Sequence, residues 1–253
     1  MSLGVREQRS RVRSRQRDGR ATESAPSSQG LTGQQSAILH SAHALQTLTS
    51  RLSEHEWRRR LVHMAPGLLP LVLVNIPHLD PLQWPAKTAI AAVVLVTSFF
   101  ALTRRAMFAR TGELQTGWLS SVISYAAITL GFYLALPSQP ELGMAVTMII
   151  AFGDGSATLM GLLTRSRKLP WNDKKSWAGF AAFLLCSIPL ATLIYWIESR
   201  PGVSLPLALA CVAPAAAVAA LAESLPMRLN DNLRVGVTAG LTILATHGMF
   251  VGW

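Results

Sequence analysis

Seven apolar segments, near residues 61–77, 86–102, 118–136, 142–163, 177–197, 205–221 and 233–251, follow one another in this chain, parted by short polar loops. No other feature narrows the possible folds so far. A helix needs about 20 apolar residues, roughly 17–25, to cross a bilayer. In lipid every backbone N–H and C=O must be paired internally, which leaves helices as the structure for segments of this length. The expected fold is therefore all-α: a polytopic transmembrane helical bundle of about seven spans. The first segment, with Pro66, Gly67 and Pro70, is the most interrupted. Composition agrees, since 14% of residues are charged, against about a quarter in soluble domains.

Charge is distributed unevenly. The first 60 residues hold 11 of the 23 Lys and Arg. Residues 1–35 are rich in Arg, Ser, Gln and Gly and have too few large apolar side chains to bury a core, so a disordered basic tail is expected. The Arg and Ser content is also that of a transit peptide, against which Glu7, Asp18 and Glu23 count. Within 36–60, Ile38, Ala42, Leu45, Leu48 and Leu52 recur at spacings of three and four, and Trp57 with Arg58, Arg59 and Arg60 follow. That pattern predicts an amphipathic helix at the membrane interface. The division is then a tail (1–35), an interfacial helix (36–60) and a membrane-embedded domain (61–253). The net charge of +10 sits in the tail and beside apolar spans, which points to anionic lipid headgroups and not to nucleic acid. Cys186 and Cys211 both fall within apolar runs, so neither a disulfide framework nor a zinc site is expected.

Loop charge orients the spans. The loops 103–117, 164–176 and 222–232 carry Arg104, Arg105, Arg110, Arg165, Arg167, Lys168, Lys174, Lys175 and Arg228, whereas the opposite loops carry Lys87 and Arg200. The positive-inside rule then predicts a cytoplasmic N-terminus and a C-terminus outside. A bacterial plasma membrane is the favoured setting.

Polar residues that a structural span would avoid gather on the cationic side. Asp154, flanked by Gly153 and Gly155, ends the fourth segment, and a carboxylate inside a span is costly enough to be a functional candidate. Next comes the basic stretch from Arg165 to Lys175, with Ser176 and Gly179, whose charges and hydroxyl suit phosphate oxygens. Glu223 ends the sixth segment, and Asp231 precedes the seventh. The orientation brings Asp154, Glu223 and Asp231 to one face. Oxygen ligands of this kind hold magnesium together with substrate phosphates, the arrangement that phosphoryl transfer needs. Arg59, Arg60 and His63, just before the first segment, are candidates for headgroup or phosphate contact. His40, His43, His55, His78 and His247 suggest no function.

These residues also carry a family likeness. Gly153-Asp154-Gly155 with Gly161, then Lys168-Leu169-Pro170-Trp171-Asn172, then Lys174-Lys175-Ser176-Trp177-Ala178-Gly179, resembles the phytol kinases. The likeness extends more loosely to dolichol kinases and the CTP-dependent diacylglycerol kinase. Glu223 to Pro226 and Asp231-Asn232-Leu233 are similar to the closing motif of that family, and Arg59-Arg60 with His63 to its opening one. The resemblance spans roughly 57–240. It implies a multi-pass enzyme that uses CTP and a divalent metal such as magnesium to phosphorylate a lipid alcohol: a prenol such as phytol or farnesol, a polyprenol, or diacylglycerol. Asp154, Asp231 and Glu223 are then the metal and catalytic residues, with Glu223 either a third ligand or the base toward the hydroxyl. Lys168, Lys174, Lys175, Ser176, Arg59 and Arg60 meet phosphate. Gly153, Gly155 and Gly179 allow close backbone approach, and His63 and Asn232 face the lipid headgroup. The sequence departs from the pattern at Ala157-Thr158, where phytol kinases often carry a second Asp. Two other readings stay open. One is a phosphatidate cytidylyltransferase-like enzyme, whose acidic C-terminal signature is absent here. The other is a transporter, which would place polar sites near the midplane and often in repeated halves.

Overall fold

The computed structural model describes residues 53–78, 80–104 and 115–253, which lie in one compact unit, Leu48–Trp253. The expected tail, the interfacial segment up to residue 52 and residues 105–114 of the first basic loop lie outside the described residues.

The chain enters through α1 (Glu54–Met64), capped by Ser53, whose hydroxyl accepts from the Glu56 amide. A 3-10 turn (Ala65–Gly67) and a short helix, α2 (Leu68–Leu73), follow. Then come α3 (Trp84–Thr103), α4 (Gln115–Ala135), α5 (Pro140–Met148), a π-helical turn (Ile149–Asp154) and α6 (Gly155–Thr164). A hairpin of β1 (Lys168–Leu169) and β2 (Asn172–Ser176) leads into α7 (Trp177–Glu198), α8 (Leu205–Ser224) and α9 (Asp231–Phe250).

Among the described residues, six helical stretches are long and apolar enough to cross a membrane: Trp84–Thr103, Gly117–Ala135, Pro140–Thr164, Trp177–Glu198, Leu205–Ser224 and Asp231–Phe250. The protein is an integral membrane protein, and these stretches correspond to six of the seven expected segments. The remaining one, 61–77, is no single helix. Proline has no N–H to donate and its ring crowds the preceding turn, and Pro66 and Pro70 divide the segment into the end of α1, the 3-10 turn and α2. It still joins the two ends of the bundle, because His63 lies 3.0 Å from Asp154 at one end and His78 lies 2.6 Å from Glu198 at the other.

The path Pro140–Thr164 is the most buried of the crossing stretches. Lipid offers no hydrophobic drive between helices, so close approach of small residues supplies the packing. The α8–α9 seam shows this, with Ala208, Ala215 and Ala219 buried on α8 and Gly236, Ala239 and Gly240 buried on α9. Any side chain at Gly236 would meet Ile128, and one at Gly240 would meet Phe132, so α4 seats its large residues on α9. Two of the histidines that suggested no function in the sequence, His78 and His247, have structural partners. His247 shares a 2.7 Å hydrogen bond with the Tyr195 hydroxyl, and His78 pairs with Glu198.

Candidate functional site

One end of the bundle opens into a cavity of about 490 Å³. Its walls come from the end of α1, the start of α4, Asp154 of the π turn, α6, the hairpin with the first turn of α7, the end of α8, the loop that follows it, and the start of α9. Each wall has a local cause. The π turn widens the helix just before Asp154, and such bulges commonly re-aim side chains at functional sites. The hairpin pairs Lys168 with Ser176 and Leu169 with Asn172. Ser176 then caps α7 by accepting from the Gly179 amide at 3.2 Å. Asn230 caps α9 in the same way, accepting from the Asn232 amide at 3.0 Å.

Three carboxylates converge there. One oxygen each from Asp154, Glu223 and Asp231 lies within 4.8 Å of the others. Asp154 and Glu223 are buried, and Asp231 is partly exposed. The Lys175 ammonium donates to Glu223 Oε1, and to Asp231 Oδ2 at 3.2 Å. Burial disfavours the charged form of Lys175, but the carboxylates of Asp154, Glu223 and Asp231 outweigh it, so its pKa stands above the ordinary lysine value. Asp154 also meets His63 Nε2 at 3.0 Å, and the His63 ring stands edge-on to Tyr125. Arg234 Nη2 holds Asp231 Oδ1 at 2.7 Å and the Glu223 carbonyl at 3.1 Å, which ties α8 to α9 behind the site. Arg59 and Arg60 line the cavity, within 3.8 and 3.6 Å of Glu56.

Of the residues proposed from sequence, Asp154, Glu223, Asp231, Lys168, Lys174, Lys175, Ser176, Gly179, Arg59, Arg60, His63 and Asn232 all line this one cavity. Gly153 and Gly155 do not fit the role expected of them. A Cβ at Gly153 would stand 2.6 Å from the Phe183 ring, and one at Gly155 would stand 2.4 Å from Met64. Their bare backbone admits neighbouring helices, not a ligand. Gly179 belongs to both descriptions, since it lines the cavity while a Cβ there would meet the Ala157 carbonyl at 2.7 Å. Sequence reasoning missed the α4 wall, Gly117 and Ser121. Ser121 accepts from the Asn232 side-chain Nδ2 at 3.0 Å through both its carbonyl and its hydroxyl. No local signal tells which of Ser120, Ser121 and Ser124 in this apolar helix serves as a wall of a distant site. Ala157 and Thr158, where the family pattern often has a second Asp, do line the cavity, so the departure falls within the site.

An all-oxygen set of three carboxylates suits a hard divalent cation such as magnesium, and the spacing observed leaves the three close enough to share one ion. Two long helices, α7 and α9, start at the cavity. Helix N-termini carry unpaired N–H groups and a positive dipole end, which favour phosphate.

Comparison with known proteins gives consistent results. The chain is 28% identical to phytol kinase 1, chloroplastic, of Arabidopsis thaliana over 244 residues, covering 85% of this chain and 75% of that protein. It is 30% identical over 139 residues to the Arabidopsis farnesol kinase, chloroplastic, covering 51% of this chain and 42% of the relative. A probable phytol kinase 1 of rice is 29% identical over 137 residues, covering 52% of this chain and 43% of the relative. No protein-family model and no solved structure matches the chain.

Proposed function

From the premise that this chain is phytol-kinase-like, we propose that it is a membrane-embedded kinase that phosphorylates the hydroxyl of a prenol-type lipid alcohol. CTP is the donor and magnesium the ion held by Asp154, Glu223 and Asp231. The observation that carries this reading is the meeting of those three carboxylates with Lys175 in one cavity.

The chemistry follows from what each group can do. The acceptor oxygen attacks the γ-phosphorus. The bond from that phosphorus to the β–γ bridging oxygen breaks, and the nucleoside diphosphate leaves with the electron pair. The hydroxyl proton passes to a carboxylate of the cluster, to Glu223 where Asp154 and Asp231 alone hold the ion. A bound divalent ion supplies charge neutralisation at the phosphates. Lys168, Lys174 and Lys175 neutralise the rest of the triphosphate, and the N-termini of α7 and α9 add oriented N–H groups. His63 and Asn232, on the walls from α1 and α9, meet the headgroup end of the alcohol. With the site on the cytoplasmic face, the N-terminus lies inside and the C-terminus outside, in accord with loop charge.

The test is a membrane assay with CTP labelled at the γ-phosphate and a panel of alcohols: phytol, farnesol, a long polyprenol and diacylglycerol. Label in a prenol is the expected result. Transfer of label from the α-phosphate to lipid instead would identify a cytidylyltransferase, and transfer of neither label would overturn the kinase reading.

A further inference from the structure

The segment joining α8 to α9, residues 225–230, is built inside out relative to a loop in water. Its polar partners lie beneath it. Asn172 donates to the Ser224 carbonyl at 2.9 Å, and Arg234 Nη1 donates to the Leu225 carbonyl at 2.9 Å. The Trp171 indole N–H donates to the Ser224 hydroxyl at 3.1 Å, which fastens the hairpin tip to the loop. Asn172, Arg234 and Ser224 are all buried. The apolar side chains point the other way: Leu225, Met227 and Leu229 are 45%, 51% and 53% exposed, and Trp171 beside them is 41% exposed.

Apolar exposure of this kind, concentrated in one short loop, marks an interaction surface. What covers it is settled by its surroundings. The exposed apolar side chains continue onto the flanks of α8, at Leu221, and of α9, at Leu233 and Val237, and those flanks face lipid in a membrane-spanning bundle. Exposed Arg228 sits between Met227 and Leu229, where a cation meets a headgroup phosphate. A tryptophan at the rim belongs to the same layer. Leu229 and Asn230 also line the cavity, so the loop is at once its rim and the end of the apolar belt.

We infer that residues 225–229 and Trp171 are seated in the headgroup–acyl boundary of the bilayer, as a ramp along which the lipid alcohol slides from the membrane into the cavity. The seating rests on the loop alone. The role toward the alcohol rests on the kinase reading above. A site rimmed in this way takes an acceptor whose hydroxyl lies at the boundary while its chain stays in lipid.

Two measurements decide the matter. In a Cys186→Ala/Cys211→Ala background, a nitroxide is placed at Met227→Cys and, as an aqueous comparison, at exposed Asp173→Cys on the hairpin. The protein is held in vesicles of phosphatidylcholine and phosphatidylglycerol. The label at 227 is expected to collide more with dissolved oxygen than with a water-soluble nickel chelate, and the label at 173 the reverse. A label at 227 as open to the chelate as that at 173 overturns the seating, whatever the activity. In the second measurement, Leu225→Gln/Met227→Gln is expected to raise the apparent KM for a long-chain prenol in vesicles about tenfold, given the apolar contact removed. The same variant keeps the wild-type rate on a short, water-soluble prenol. Equal losses on both alcohols overturn the ramp. A chain that phosphorylates no alcohol overturns the kinase reading instead, and the ramp with it, while the collision measurement still decides the seating.

Discussion

At one end of the bundle Asp154, Glu223 and Asp231 line an open cavity, and Glu223 and Asp231 share the Lys175 ammonium. At the other end Glu198 is only 1% exposed and pairs with His78 at 2.6 Å, while Asp80 stands between His78 and Arg200 at 3.9 and 3.7 Å. Both ends place acids where lipid would otherwise forbid them. The difference lies in what the acids face, an open cavity at the Asp154 end. At the Glu198 end His78 and Arg200 stand beside Asp80 and Glu198, buried Glu141 is near both acids, and the Leu82 amide donates to the Pro137 carbonyl at 2.7 Å, stitching the loops together. At the Asp154 end Lys175 pairs with Glu223 and Asp231, Arg234 holds Asp231 and His63 meets Asp154, and all three acids line an open cavity. Burying acids costs stability at both ends, and the Asp154 end opens into a cavity that a ligand can enter.

The comparison breaks most readily at Asp154. Asp154→Asn is expected to lower turnover about a hundredfold or more, the usual size of losing one preorganised electrostatic contact, with normal recovery from membranes. Glu198→Gln is expected to leave turnover per folded molecule near wild type and to lower thermal stability by about 1–3 kcal/mol, through a weakened buried pair. Equal kinetic losses in the two variants would erase the distinction between the ends.

Lys175→Met is expected to lower kcat and raise the KM for CTP, together costing about 1.5–3 kcal/mol of transition-state stabilisation, the range for hydrogen bonds to charged groups. A folded Lys175→Met protein with unchanged kinetics would reduce the lysine to a structural counterion.

Gly153→Ala separates packing from ligand approach. The new methyl meets the Phe183 ring, and overpacking of this kind costs about 1–3 kcal/mol. Phe183→Leu in the same chain is expected to restore the thermal midpoint. Failure of that rescue, with a direct loss of nucleotide affinity, would return Gly153 to the binding site.

The smallest effect is with pH. The pKa of Lys175 is raised, so its ion pairs contribute fully below the ordinary lysine value of about 10.4 and are lost only as pH climbs through the higher folded value. Thermal midpoints are expected to show no lysine-dependent fall between about pH 7 and 9, within the range where an ordinary lysine is charged. A fall there that disappears in Lys175→Met would contradict the raised value.

The sequence by itself determined that this protein is a helical membrane protein, because apolar length is a local property that lipid enforces on each segment separately. It also determined which side of the bundle to search, since Asp154, Lys175, Glu223 and Asp231 are each conspicuous in a span or at its end. The hairpin around Lys168 and Asn172 and the π turn ending at Asp154 escaped it, because strands of two and five polar-rich residues and single-turn bulges carry no apolar periodicity. The pairing of His78 with Glu198, the service of Ser121 to Asn232 and the use of Gly153 and Gly155 against Phe183 and Met64 were decided only by the tertiary structure. Each depends on which helix lies beside which, and in lipid small residues and shape decide that, through contacts between residues far apart in the chain.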